Sequence, residues 1–288
     1  SPPRLALVLG SGGVRSIAAV GVAEVLAAEG LRPDLIVGCS SGALFGATIA
    51  LGMTSREALE TAVSLWSAEL TQQRRRRAYA QWVAPKWFGF DAGFALRDDR
   101  RIAQRIRRAF GDWRLEDLPI PLRIVTPEAK SGNRVVLRHG ALARALRASV
   151  AVPLVFPSVE VDGRRLVDGV MSDPLPIAVA SDATMVVALG FKGVIPRRID
   201  RASRLVAQAS TTLINNLQQA RIDAARNAAQ RALELELALD RHVGLWETRA
   251  MPYLFEAGRR AARVQLAQIM ALACQASPRA PDSEAMAA

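Results

Sequence analysis

Histidine and cysteine are nearly missing from this 288-residue chain, with two of each. Two cysteines, Cys39 and Cys274, do not make the disulfide framework of a small secreted scaffold. Neither their spacing nor their neighbours make a metal site. His139 and His242 leave few candidates for any triad that needs an imidazole. Long apolar runs are missing too: the best, residues 43–53, falls far short of the roughly 20 residues that cross a bilayer as a helix. No basic-plus-apolar leader opens the chain, and Ser1-Pro2-Pro3 directly before an apolar run reads as a trimmed start. The expected location is therefore cytoplasmic or peripheral to a membrane, with no transmembrane helix and no signal peptide. Lysine is scarce as well. Lys and Arg number 38 against 27 Asp and Glu, so arginine supplies nearly all of the +11 charge. Such a balance attracts nucleic acid or an anionic membrane, or else marks arginine-rich solvated faces.

Half of the residues are hydrophobic, enough for one large core plus a smaller appendage. Strand-like runs at 5–9, 34–38, 122–126, 134–138, 165–168 and 185–189 alternate with helical patterns at 17–29, 58–70 and 100–110. This alternation predicts an α/β fold with a mostly parallel central sheet flanked by helices. After Pro196 the pattern changes. Residues 203–241 and 256–275 read as long, alanine-rich, strand-free helices, a C-terminal helical appendage. The expected organisation is a main α/β domain over 1–200, a helical extension over 201–276 and a disordered tail over 277–288, where prolines replace aromatics.

The most informative stretch runs from Asp34 to Ala47. A short apolar run enters Gly38-Cys39-Ser40-Ser41-Gly42 and leaves as a small-residue helix, the strand-turn-helix context of a nucleophile elbow with Ser40 at its tip. Gly38 and Gly42 stand where a side chain would collide with the turn. The helix start also brings backbone N–H groups, such as that of Ser41, to the place where an oxyanion would develop. The competing reading is a tight turn without chemistry.

Two further segments bear on the choice. Leu5–Leu9 leads into Gly10-Ser11-Gly12-Gly13-Val14-Arg15-Ser16 and then a helix, which invites comparison with a dinucleotide site. The fingerprint fails, because its last glycine would fall on Arg15 and no acidic residue ends a second strand at the required place. The loop instead offers the N–H groups of Gly12 and Gly13 to an oxyanion, with Arg15 adding positive charge. The other segment, Leu166-Val167-Asp168-Gly169-Val170, follows a turn at Asp162-Gly163 and puts Asp168 at a strand end entering a loop. A carboxylate there can take the proton from Ser40 only if burial raises its pKa or the hydrogen bond is preorganised. Asp-Gly alone more often marks a turn.

Taken together, these motifs resemble those of the patatin-like phospholipases. The glycine loop Gly10–Ser16, the elbow Gly38–Gly42 and Asp168-Gly169-Val170 stand in that family's order and separation, and Arg147 to Pro157 is similar to its connector. The chain departs at Ser11 and Ser16, where glycine is usual, and at Val170, where a smaller residue is usual. The resemblance covers about two thirds of the chain. It implies a patatin-like three-layer fold and a Ser40–Asp168 dyad without histidine. It further implies an oxyanion hole from Gly12, Gly13 and Ser41, support from Gly10, Arg15, Gly38, Gly42 and Gly169, and no cofactor or metal. The implied activity is hydrolysis of fatty acyl esters, of phospholipase A, lysophospholipase or esterase type, with a phospholipid or other acyl lipid as substrate. An acyltransferase with the same nucleophile and a catalytically silent membrane-binding module are the alternatives. A rival within the chemistry is a triad in the order Ser40, Asp168, His242, although His242 reads as the end of a long helix.

One segment points to a membrane. Arg74, Arg75, Arg76 and Arg77 precede Trp82, Trp87 and Phe88, so a basic cluster adjoins an aromatic block, with arginine suited to anionic headgroups and tryptophan to the interface. Placed between the nucleophile and aspartate segments, residues 71–96 are a candidate lid. Basic and aromatic residues are not interleaved and no nucleic-acid fold motif accompanies them, so nucleic acid is not the expected partner. The sequence leaves the oligomeric state open.

Overall fold

The computed structural model describes residues 4–66, 99–153, 155–195, 198–200 and 202–276. The candidate lid 71–96, with Arg74, Arg75, Arg76, Arg77, Trp82, Trp87 and Phe88, lies outside them, as does the tail 277–288. Among the described residues the chain runs through β1 (Leu5–Leu9), α1 (Ala18–Ala28), β2 (Leu35–Cys39), α2 (Ser41–Ala50), α3 (Ser55–Leu65), α4 (Arg100–Phe110), β3 (Leu122–Pro127) and β4 (Arg134–Leu137). It continues through α5 (Leu142–Ser149), β5 (Val159–Val161), β6 (Arg164–Leu166), β7 (Met185–Leu189), α6 (Ala202–Asn227), β8 (Ala232–Glu234), α7 (Met251–Val264) and α8 (Leu266–Ala276).

The six-stranded sheet has the order β4-β3-β2-β1-β7-β8, parallel throughout except for β4, which pairs antiparallel with β3. β1, β2 and β7 are buried along their whole length, as expected of parallel strands covered on both faces. Alternate residues of β1 serve opposite cores: Leu5, Leu7 and Leu9 join the cluster under α1 and α2, whereas Ala6 and Val8 join Ile177, Ile222 and Ala225 on the other side. The result is a helix–sheet–helix sandwich, the three-layer α/β architecture expected. α4 follows its sequence pattern closely, burying Ile102, Ile106 and Phe110 at successive turns and exposing arginines between them.

From β1 the chain winds outward through β2 and β3, then returns through β7 on the opposite side of β1. That reversal opens a crevice at the carboxyl ends of the strands, where open α/β sheets bind ligands. Leu9 pairs with Gly38 on one side and with Leu189 on the other, so the glycine loop after β1 and the elbow after β2 emerge together.

Two expectations are corrected. The run at 165–168 does not join the central sheet: β6 forms a two-stranded hairpin with β5, and Asp168 lies beyond its end. The C-terminal region is helix-rich, but it is not strand-free and not a bare appendage. β8 extends the central sheet by pairing parallel with β7, and α7 lies against α1 so closely that a Cβ at Gly258 would sit 2.0 Å from the carbonyl oxygen of Ala18. His242 accordingly sits in an irregular, exposed stretch between β8 and α7 rather than at a helix end.

Candidate active site

The elbow forms because β2 runs straight into α2 with one residue between them. Ser40 takes φ 55° and ψ −127°, a left-handed conformation that a serine adopts at a cost of about 1–3 kcal/mol and only when its surroundings enforce it. The enforcement is visible on both sides. A Cβ at Gly38 would lie 2.5 Å from the Cα of Ala43, and one at Gly42 would lie 2.4 Å from the carbonyl oxygen of Leu9. The two glycines therefore let strand, helix and neighbouring strand close on the turn.

Asp168 caps a short 3-10 turn, Gly169–Met171, where one carboxylate oxygen accepts from the Val170 N–H at 2.8 Å. Its other oxygen accepts from the Ser40 hydroxyl at 2.7 Å. The backbone of Asp168 is tied as well, its N–H donating to the Ala151 carbonyl at 3.0 Å. The side chain is only 1% exposed. Burial pushes its pKa up to about 7, against the opposing pull of the Val170 and Ser40 hydrogen bonds. The condition for a carboxylate to work as a base, a raised pKa with a fixed hydrogen bond, is thus met by position. Gly169 lets this turn pack against the Val125 carbonyl and Cys39.

The glycine loop departs in detail from its expected role. Gly10 continues the sheet, donating to the Leu189 carbonyl at 2.9 Å. The Gly12 N–H donates to the Ser41 hydroxyl at 3.1 Å, the Ser41 and Ser16 hydroxyls lie 2.8 Å apart, and Ser16 donates to the Gly10 carbonyl at 3.3 Å. Each hydroxyl carries one proton, so the chain has a single direction: Gly12 N–H to Ser41, Ser41 to Ser16, Ser16 to Gly10. Of the three donors expected for an oxyanion, Gly12 is the one whose N–H is engaged within the protein, by the Ser41 hydroxyl. The N–H groups of Gly13 and Ser41 have no acceptor among the described residues. Gly13, at φ +61°, and Ser40 both line the same pocket. Arg15 is a clamp more than a point charge: its Nε donates to the Gly12 carbonyl and its Nη1 to the Lys192 carbonyl, with the guanidinium over the Phe191 ring. Burial lowers its pKa from the usual arginine value.

Ser40, Asp168, Gly12, Gly13 and Arg15 line one cavity of about 370 Å³. Its remaining wall is largely apolar, including Ile102, Val150, Phe191 and the stacked pair Trp66 and Trp246, whose ring centroids are 4.7 Å apart. His242 is not part of that wall.

Sequence reasoning missed Ser149, Ser16 and the tryptophan pair. The Ser40 N–H donates to the Ser149 hydroxyl at 2.8 Å, so the last residue of α5 holds the Ser40 backbone from 109 positions away. Ser149 lies within the connector Arg147 to Pro157 and Ser16 stands where glycine is usual, so both carry a sequence signal; Trp246 carries none. Replacing Ser149 by alanine leaves the half-buried Ser40 N–H without its acceptor. The expected cost is about 1–3 kcal/mol in thermal unfolding, with kcat reduced more than KM is raised.

The comparisons with known proteins follow the same residues. Residues 7–181 match the family model described as patatin-like phospholipase. An uncharacterised NTE family protein of Mycobacterium tuberculosis is 37% identical over 202 residues, 69% of this chain and 52% of that protein. The patatin-like phospholipase domain-containing protein 7 of Rattus norvegicus is 31% identical over 195 residues, 64% of this chain and 13% of that protein. The crystal structure of VipD from Legionella pneumophila aligns with a TM-score of 0.49 at 14% identity, covering 95% of this chain and 67% of VipD. The chain spans about half the length of the first curated relatives it matches. The matched region runs from β1 past the Asp168 turn and takes in the glycine loop, the elbow and that turn, all three of which line the pocket; this chain belongs to the patatin-like phospholipase family.

Proposed function

We propose that this protein hydrolyses fatty acyl esters of lipids through a Ser40–Asp168 dyad and an acyl-enzyme intermediate. The observation that carries the reading is the 2.7 Å hydrogen bond from the Ser40 hydroxyl to a buried carboxylate in the lining of an apolar pocket. Ionised Asp168 takes the Ser40 proton as Oγ attacks the acyl carbonyl carbon. The carbonyl oxygen becomes an oxyanion, for which the unengaged N–H groups of Gly13 and Ser41 are the donors at hand, the latter at the positive end of α2. Asp168 then returns the proton to the leaving alcohol, and the serine keeps the acyl group. Water enters, gives its proton to Asp168 and attacks the ester, releasing a fatty acid and restoring Ser40. An apolar cavity of about 370 Å³ suits an acyl chain better than a polar substrate.

Intact-mass spectrometry after treatment with an alkyl fluorophosphonate tests the assignment. One adduct is expected on the wild type and on His242→Ala, and none on Ser40→Ala or Asp168→Asn. Labelling lost in His242→Ala would establish the triad instead, and a folded wild type that takes no label would point to a silent lipid-binding module. Product diverted from free fatty acid to a new ester by an added alcohol would identify an acyltransferase.

A further inference from the structure

α6 is buried unevenly along its length. Its second half packs through Gln218, Ile222 and Ala225. Between Arg204 and Leu217 no residue is buried, and Leu205, Val206 and Leu213 are 54%, 64% and 70% exposed. The segment before the helix behaves alike: Val194, Ile195 and Ile199 are all exposed. An ordinary solvated helix would turn polar residues outward at these places. Six large aliphatic residues over twenty positions amount to a patch rather than scattered exceptions.

This patch is continuous with the pocket described above. Gly193, Thr211, Ile214 and Asn215 line the pocket, and Val194 and Leu213 each stand one residue from a lining position. Leu245 belongs to the pocket wall and is itself 51% exposed. The geometry is held in place: the Asn215 amide accepts from the Gly193 N–H at 2.8 Å and donates to the Gly193 carbonyl at 2.9 Å, so helix and loop move as one piece. The charges around it are mainly basic. Lys192 and Arg198 are exposed and Arg204 is partly so, against Asp200, which pairs with Arg204 at 3.1 Å.

Resting on the reading of the pocket as an acyl-lipid site, we propose that Leu205, Val206 and Leu213 of α6, with Val194, Ile195 and Ile199 before it, form the surface by which this protein docks on an anionic lipid bilayer, with the pocket mouth against the lipid. The aliphatic side chains enter the acyl boundary while Lys192, Arg198 and Arg204 meet anionic headgroups. A lipid then reaches Ser40 without its chain crossing water. The membrane contact expected from sequence was placed at residues 74–88; this surface is a different one.

The test is sedimentation with vesicles, performed on Ser40→Ala so that binding is read without hydrolysis. Binding to phosphatidylcholine vesicles containing phosphatidylglycerol is expected, weakening with added salt, with far less binding to phosphatidylcholine alone. Leu205→Glu with Leu213→Glu should cut it roughly tenfold or more. Val264→Glu is the control: Val264 is 77% exposed but lines a separate cavity with Ile222 and Arg226, at the far end of α6. It should bind as the parent does. In a Ser40-containing background, the double variant should keep its melting temperature and its rate on a short soluble ester while losing activity on vesicles. Failure to bind anionic vesicles, or binding indifferent to the double variant, overturns the proposal. So does a dimer that the double variant dissolves, which would make a second copy the occupant. Loss of fluorophosphonate labelling in a protein that still binds vesicles would instead overturn the catalytic reading and leave the surface standing.

Discussion

Asp168→Asn is expected to lower kcat on an acyl ester on the order of 10³- to 10⁴-fold while leaving the fold in place. The asparagine oxygen can still accept from the Val170 N–H, which fixes the side chain as it fixes the carboxylate at 2.8 Å. The amide nitrogen then faces Ser40 as a donor. The hydroxyl must reverse to accept, and its proton no longer has a base to go to. Ser40→Ala should lose at least as much, since it removes the atom that bonds to the acyl group. The two losses should not add in Ser40→Ala/Asp168→Asn, because each acts through the same proton transfer. Steady-state kinetics on the three variants checks this; additive losses would mean that Asp168 acts on something other than Ser40.

The same carboxylate sets two pH dependences of opposite sense. Because burial holds its pKa near 7, the basic form is scarce in acid, so the rate should rise with pH through about 7 and level above it. Stability should run the other way. The folded pKa lies above that of the unfolded chain, near 3.9, so between about pH 4 and 7 the folded form holds a proton that the unfolded form has released. Stability is therefore fully present below about 4 and falls as pH rises to about 7. Asp168→Asn removes the ionisation, so its melting temperature should exceed that of the wild type at pH 8 by an amount that shrinks toward pH 4. A constant difference would show that Asp168 ionises as freely in the folded protein as in the unfolded chain.

What was legible in the sequence had local causes. β1 and β2 are apolar runs, α4 repeats its isoleucines at helical spacing, and the elbow glycines stand where backbone approach leaves no room for a Cβ. The unread parts depend on partners distant along the chain. β8 is three residues long and exists because the edge of β7 is there to pair with, while its alanine-rich flanks carry a helical pattern. The Gly12 donor looked available because a sequence does not say where the Ser41 hydroxyl points; its partner Ser16 is 25 positions away. Asp168 was found through its motif, yet the raised pKa comes from burial, which no motif specifies.

Asp173, which stands beside Pro174 and belongs to none of the sequence motifs, carries the largest expected effect on stability. It is wholly buried, and its two carboxylate oxygens are held by Arg134 of β4 at 2.8 Å and Arg221 of α6 at 3.1 Å. Its N–H donates to the Gly169 carbonyl at 2.9 Å, so it closes the loop that begins at Asp168. Removing both arginines leaves a charge with no solvent and no partner. Arg134→Ala/Arg221→Ala should cost about 3–5 kcal/mol, a fall in melting temperature on the order of 10 °C at this size. Asp173→Asn should cost less, about 1–2 kcal/mol, because it buries no charge and the arginine side chains, 40% and 35% exposed, can turn to water. Equal losses would mean that the hydrogen bonds matter and the charge does not. The arginine double variant should also lose activity beyond what its remaining folded fraction explains, since the turn that aims Asp168 at Ser40 would be anchored at one end only.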